Sequence, residues 1–436
     1  MNLRDTLYIK ENHLYIGQID TVKLAKEFGT PLYVLDEDYI RKMCQTYNSA
    51  LKPYGHYRIL YASKAFSCTG IYKIMTSENV GADVASGGEL YTALSSGMSS
   101  DLIYFHGNNK TEKELSEAVD AKVNCIVIDS FDEIDVLNEI CQNKKKIANV
   151  LIRVNPKVEA HTHHYIQTAR ADSKFGFSIE DAWLAVEKII RKSNLKFLGL
   201  HCHIGSQIFE IKPYQITIGI MTDFMQKIKA DFNIDTEELD IGGGFGVYYA
   251  DDEKKFQPKD YVFYINSIIY ELEKNLADKN LKKPCLIIEP GRSLVAEAGI
   301  TLYTAGNIKE LKNIRKYVSV DGGMFDNPRF ALYQAKYSAV IANRAADKNE
   351  EVITVCGKCC ESGDMLIVDI NFPKVRRGDI IAVFTTGAYN YSMASNYNRN
   401  AVPPVVLVNG KNVEYLVKPQ SYEDIVRNDN VPRWLK

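Results

Sequence analysis

The chain has 436 residues, 46% hydrophobic and 25% charged, which is the balance of a globular protein with a full-sized core. Its 27 Gly and 13 Pro are too few for a linker-like or disordered chain, and the length allows two or three domains, or one large α/β barrel with a smaller companion. Lys and Arg total 53 against 55 Asp and Glu, a net charge of −2 that offers no electrostatic footprint for nucleic acid or an anionic membrane.

The first ~35 residues hold three strand-like runs, LYIK, HLYIG and PLYVLD, expected to join a sheet formed later in the chain. Eight short apolar runs follow: YRILYA (57–62), VGADVA (80–85), LIYF (102–105), CIVID (125–129), NVLIRV (149–154), FLGLHCH (197–203), LDIGGG (239–244) and CLIIEP (285–290). Amphipathic stretches separate them. ELYTALSSG and SIEDAWLAVEKIIRK carry apolar residues at three- and four-residue spacing, and Thr111 with Glu114 and Ser130 with Glu133 fit capping boxes. The short basic run Lys144-Lys145-Lys146 reads as a solvated helix end. Strand–helix alternation repeated eight times predicts an α/β fold, a (β/α)₈ barrel, with an open doubly wound sheet as the alternative.

After about residue 294 the rhythm changes. YVSVDGG, AVIANRA, EVITVCG, DMLIVDI, DIIAVFTTG and PPVVLVNG succeed one another without a helix of length, which predicts a C-terminal antiparallel β domain. The expected organisation is a barrel over 38–294 and a β domain, barrel- or sandwich-like, over 295–436 joined by the strands of 1–37. No apolar stretch approaches the ~18 residues of a membrane span. Charges stand in MNLRDTLYIKENH where a signal peptide needs its apolar run. The cysteines, odd in number and scattered from Cys44 to Cys360, point to free thiols in a reducing cytoplasm.

Reactive groups of such a barrel belong at the C-terminal ends of its strands. Lys64 follows the first run, Asp83 ends the second, His201 and His203 end the sixth, Gly242–Gly244 end the seventh, and Glu289 and Arg292 end the eighth. Desolvation of Lys64 would favour the neutral amine that Schiff-base chemistry needs; the alternative is a side chain snorkelling to the rim. The GGGFG segment suits close backbone approach to a phosphate or simply a tight turn, and it is neither a Rossmann fingerprint nor a P-loop. Of His201 and His203, one is expected to face the barrel mouth. His161, His163 and His164, and Cys356 with Cys359 and Cys360, lack a second ligand set at structural-site spacing, so no metal is expected.

YASKAF, GADVASGGEL, SKFGF, HCHIGSQ, IGGGFG, EPGR, DNPRFALY, CESGD and GAYNYSMASNYN follow one another in an order that resembles the diaminopimelate decarboxylases. These are pyridoxal 5'-phosphate enzymes with an alanine-racemase-like barrel and a C-terminal β domain. The resemblance runs from about residue 14 to 430. It implies that Lys64 holds the cofactor as a Schiff base, that Ser206, Gly243, Gly244 and Tyr389 cradle its phosphate, and that His203 stacks on the ring. Glu289 would face the ring nitrogen, with Asp83, Gly291 and Arg292 also lining the cofactor site. Arg292, Arg329, Tyr333 and Tyr389 would hold the substrate, Arg292, Arg329 and Tyr333 gripping its distal carboxylate and Glu361 its distal ammonium. Cys360, reaching in from a partner subunit, would donate the proton to Cα, so the site would be complete only in a homodimer. The implied substrate is a small amino acid, meso-diaminopimelate, and neither nucleic acid nor membrane is a partner. A decarboxylase of D-lysine, D-ornithine or an acyl-linked amino acid is the alternative, and a racemase a more distant one. The chain departs from the family pattern at Ser63, where valine is usual, at Thr168-Ala169, where Thr-Gly is common, and at Lys358 and Cys359 beside Cys360.

Overall fold

The computed structural model describes residues 4–158, 173–250 and 258–435. Two compact units make up the chain: Arg41–Val247 with Lys255–Leu294, and Met1–Ile40 with Tyr248–Lys254 and Val295–Lys436.

The first unit is a closed barrel of eight parallel strands. In chain order they are Tyr57–Ala62, Gly81–Val84, Ile103–Phe105, Cys125–Ile128, Ala148–Val154, Leu195–Cys202, Glu238–Asp240 and Cys285–Ile288. Each pairs with the next, and the eighth closes on the first through Leu286 opposite Tyr57, so the open-sheet alternative is ruled out. Every strand overlaps one of the eight apolar runs, and three of them, starting at Ala148, Leu195 and Glu238, begin one or two residues ahead of theirs. Parallel strands covered on both faces read as continuous hydrophobic segments, which is why they stand out. Leu60, Tyr104, Val127, Leu151, Leu198 and Ile287, from six different strands, meet in one buried cluster. The seventh strand stops at Asp240 because the glycines turn the chain: Gly242 takes φ +71°, open to glycine at little cost.

Helices of the barrel start where their caps are. Ser86 accepts a hydrogen bond from Glu89 N ahead of Gly87–Ser95, and Thr111 with Glu114 forms a full capping box ahead of Glu112–Ala121. Ser130 caps Phe131–Lys144, yet the expected box is only half formed. The Glu133 carboxylate instead accepts from Asp129 N at 2.9 Å and pairs with Lys110 Nζ at 2.7 Å, a stronger partner than the cap backbone. At the C-terminal end of that helix Lys144 and Lys146 both pair with Asp120, at 2.6 and 2.8 Å.

The second unit carries a nine-stranded sheet and a separate three-stranded one. Leu32–Asp36, from the run PLYVLD, pairs antiparallel with Gly299–Leu311 and parallel with Val405–Asn409. The two earlier runs behave differently: Leu7–Lys10 and His13–Ile16 build the small sheet with Ile19–Asp20. Arg315–Val320 and Glu351–Cys356 are also parallel, so the sheet is mixed, with its other pairs antiparallel. Its core includes Leu32, Val34, Ile300, Leu302, Val406 and Val408.

Candidate active site

The polar residues of the barrel collect at the C-terminal ends of its strands. Lys64 sits in the single 3₁₀ turn Ser63–Ala65 that follows the first strand, and its side chain is exposed. The desolvation expected for it is therefore not what surrounds it; nearby charges are. Asp83 and His203 both feel the Lys64 ammonium. Burial pushes the Asp83 carboxyl above its ordinary value, against the opposing pull of His106 and Lys64.

Glu289, 5% exposed, leaves the eighth strand between two imidazoles. His201 Nε2 lies 3.4 Å from its Oε2 and His106 Nε2 lies 2.9 Å from its Oε1. The rings of His106 and His201 meet edge to face, with centroids 4.9 Å apart. Burial works against ionising Glu289, but these two neighbours outweigh it and hold the carboxyl well below the usual range. Burial depresses His201 to about 4 and holds His203 well below its ordinary value, the latter with help from Lys64 and Arg153. Asp240, fully buried, is pushed well above the carboxylate range by burial and then by Glu289. One ionised carboxylate thus stands among groups that favour their neutral forms. His201 meets Glu289, while His203 Nδ1 accepts from Gly243 N at 3.4 Å.

The glycine segment has no room for side chains. A Cβ on Gly243 would fall 2.1 Å from Glu289 O, and one on Gly244 2.4 Å from Gly205 O. Gly291 is equally confined, its Cβ position 2.8 Å from that of Ala62, which lets the turn after Glu289 lie against the first strand. Buried Arg292 donates from Nη2 to Ser206 Oγ at 3.0 Å, joining the loop after the sixth strand to the one after the eighth.

In the second unit Arg329, buried, has its guanidinium 5.6 Å from the Tyr249 ring centroid and 5.5 Å from those of Tyr333 and Tyr389. Three of the residues singled out in the sequence thus come together. Tyr389 holds φ +61°, a left-handed backbone that a bulky residue adopts only when its surroundings impose it. Cys360 and Glu361 are exposed, Cys360 N donating to Asn398 Oδ1 at 2.8 Å. Cys359 is the more enclosed of the two thiols. Its N donates to Asp364 Oδ2 at 2.7 Å, and burial, then Asp364, push its thiol up to about 11.

His106 and Asp240 were not singled out from the sequence, although a signal existed: His106 directly follows the apolar run LIYF, as Asp83 ends its own run. Asp240 was hidden inside LDIGGG. His161, His163, His164 and Thr168-Ala169 lie outside the described residues.

These residues fit pyridoxal phosphate. The glycine wall leaves backbone where a phosphate could approach, a lysine stands at the rim, and buried Glu289 Oε1 has no aligned hydrogen-bond donor, leaving an acceptor for a protonated ring nitrogen. The family model of the pyridoxal-dependent decarboxylases, pyridoxal binding domain, matches residues 37–296. The chain is 45% identical over 422 residues to the diaminopimelate decarboxylase of Halalkalibacterium halodurans, covering 96% of this chain and 95% of that one. This chain belongs to the diaminopimelate decarboxylase family. It is also 42% identical to the enzyme of Staphylococcus aureus, over 97% of this chain and 99% of that one. The family's diaminopimelate decarboxylase from M. jannaschii, solved with L-lysine, superposes with a TM-score of 0.93 at 36% identity over 99% of each chain.

Proposed function

We propose that this chain removes CO₂ from the D-centre of meso-2,6-diaminopimelate to give L-lysine, the last step of lysine biosynthesis, with pyridoxal 5'-phosphate carried on Lys64. The observation that carries the reading is the barrel-mouth arrangement of a rim lysine, a glycine wall and one ionised carboxylate, Glu289, held between imidazoles. Residues 38–294 form the cofactor domain in this reading, and 1–37 with 295–436 the β domain. Bound there, the cofactor supplies the electron sink for the pair left behind when CO₂ departs.

The protein's own groups do the rest. Lys64 would hold the cofactor through its amine and give it up to the substrate amine. Gly243, Gly244 and Ser206 would present N–H and O–H donors to the phosphate, and Tyr389 and Gly291 are assigned to the cofactor as well. Glu289 would keep a proton at the ring nitrogen and His203 would cover one ring face, while Asp83 lies near the Lys64 ammonium. Arg292, Arg329 and Tyr333 take the distal carboxylate and Glu361 the distal ammonium, so binding energy is applied far from the bond that breaks. The scissile carboxylate is left without a cation of its own. A decarboxylase of simple diamine precursors would need acids where these arginines stand.

Cys360, contributed from one subunit to the active site of the other, gives the proton to Cα. Its exposure supports that role, as does the contrast with the engaged Cys359 thiol. The enzyme works as a cytoplasmic homodimer in this reading; among the described residues no helix is long and apolar enough to cross a membrane.

The test is CO₂ release by purified protein with added pyridoxal phosphate, from meso-diaminopimelate beside D-lysine and D-ornithine. Release from diaminopimelate with L-lysine formed is expected. Release only from a control would leave the cofactor assignment standing and overturn the roles of Arg292, Arg329 and Glu361.

A further inference from the structure

Glu289 is one of three carboxyls buried close together, with Asp83 and Asp240. Like charges so near one another in a medium poorer than water repel, so which of them ionises, and where its oxygens point, must be imposed by neighbours. His106 is the neighbour that touches two of them. Its Nε2 is 2.9 Å from Glu289 Oε1 and 3.8 Å from Asp83 Oδ1. The ring is itself buried and braced edge-on by His201, whose Nε2 reaches the other Glu289 oxygen. Asp240, buried as well, accepts from Gly242 N through Oδ1 at 2.8 Å. The contact from His106 to Glu289 is close without being an aligned hydrogen bond, which leaves Oε1 able to accept from something else.

We propose that His106 is a positioning residue for the cofactor ring: by bridging Glu289 and Asp83 from the end of the third strand, it holds the Glu289 carboxylate where a protonated ring nitrogen can meet it. His201 shares the task on the other oxygen. Neither imidazole touches the reacting atoms in this role; both act through Glu289. The inference rests on Glu289 facing the ring nitrogen, as proposed above.

The experiment uses the full-length protein stripped of cofactor and reconstituted with pyridoxal phosphate. Binding is followed by the visible absorbance of the bound cofactor at neutral pH, in His106→Leu, His106→Gln and Glu289→Gln, with kcat and KM measured on each. His106→Leu is expected to weaken cofactor binding about tenfold, the low end of what losing an outer partner costs at a metal site, and to change the absorbance. It should lower kcat with little change in KM. His106→Gln, which keeps an N–H donor at similar reach, should recover most of the affinity and spectrum. A purely structural role would instead lower the thermal midpoint of both variants and leave the cofactor spectrum of the folded protein unchanged. Wild-type affinity and spectrum in His106→Leu, with Glu289→Gln impaired, would overturn the proposal alone. Wild-type behaviour in Glu289→Gln would overturn the assignment of Glu289 beneath it. Should His106→Leu not fold, His106→Asn takes its place, its shorter amide unable to reach Glu289.

Discussion

Lys110 lends itself to a quantitative test because its ammonium is wholly enclosed. Its side chain is 1% exposed, and Nζ lies 2.7 Å from Glu133 Oε1 while donating to Gly107 O at 2.7 Å and Val127 O at 2.8 Å. Glu133 has one other donor, Asp129 N at 2.9 Å, and burial raises its carboxyl even with the ammonium opposing that rise. Lys110→Met keeps much of the volume and removes the charge. It leaves a buried carboxylate without its cation, which costs about 3–5 kcal/mol. At neutral pH this is a fall in thermal midpoint of about 6 °C or more for a unit of this size. The sign with pH follows from the raised carboxyl. Glu133 prefers its neutral form in the fold, so its burden is absent below the unfolded carboxylate value and grows as pH rises through the folded one. Losing Lys110 raises that folded value further, so the gap between variant and wild type should narrow as pH falls from 7 toward 5. Lys110→Met with Glu133→Leu should then be more stable than Lys110→Met alone, a coupling of opposite sign to simple addition. Urea unfolding of the four proteins at neutral and acid pH measures all of this. A loss below about 1 kcal/mol in Lys110→Met, or strict additivity in the double variant, would refute the reasoning.

Three further outcomes are expected. Lys64→Ala should abolish the visible absorbance of bound cofactor and turnover together, read by spectrum and CO₂ release; an active variant would mean another lysine carries the cofactor. Cys360→Ala should slow turnover far more than Cys359→Ala in the same CO₂-release assay, and equal effects would remove the proton-donor role from Cys360. In the β unit, burial pushes Asp326 to about 8, only partly offset by hydrogen bonds from Tyr303 and Gly323 N. A carboxyl raised in the fold loses stability as pH climbs from about 4 to its folded value, so Asp326→Asn should gain on wild type between about pH 4 and 8. Parallel stability curves across that window would contradict the assigned shift.

Much of the fold was legible along the chain. Each of the eight barrel strands coincides with an apolar run because burial on both faces leaves no polar alternation to blur it. The strand Gly299–Leu311 was not recognised because its first half is buried and its second half largely exposed, so it presents no single pattern. Lys64, His203, Gly243 and Glu289 could be named from their places at the ends of apolar runs, since a chemical group and its place at a strand end are local properties, whereas Arg329 was named only through the resemblance. Partnerships between strands are not. Glu133, read as half of a local cap, turns to Lys110, and His106 reaches across to Glu289 on the eighth strand. Whether His201 faces His203's side, how exposed Lys64 is, and which of three buried carboxyls carries the charge all depend on closure of the barrel. Closure sets residues far apart in sequence within a few ångströms of one another and takes water away from them. The ionisation of Glu289 is thus a property of the assembled ring of strands and of no one segment.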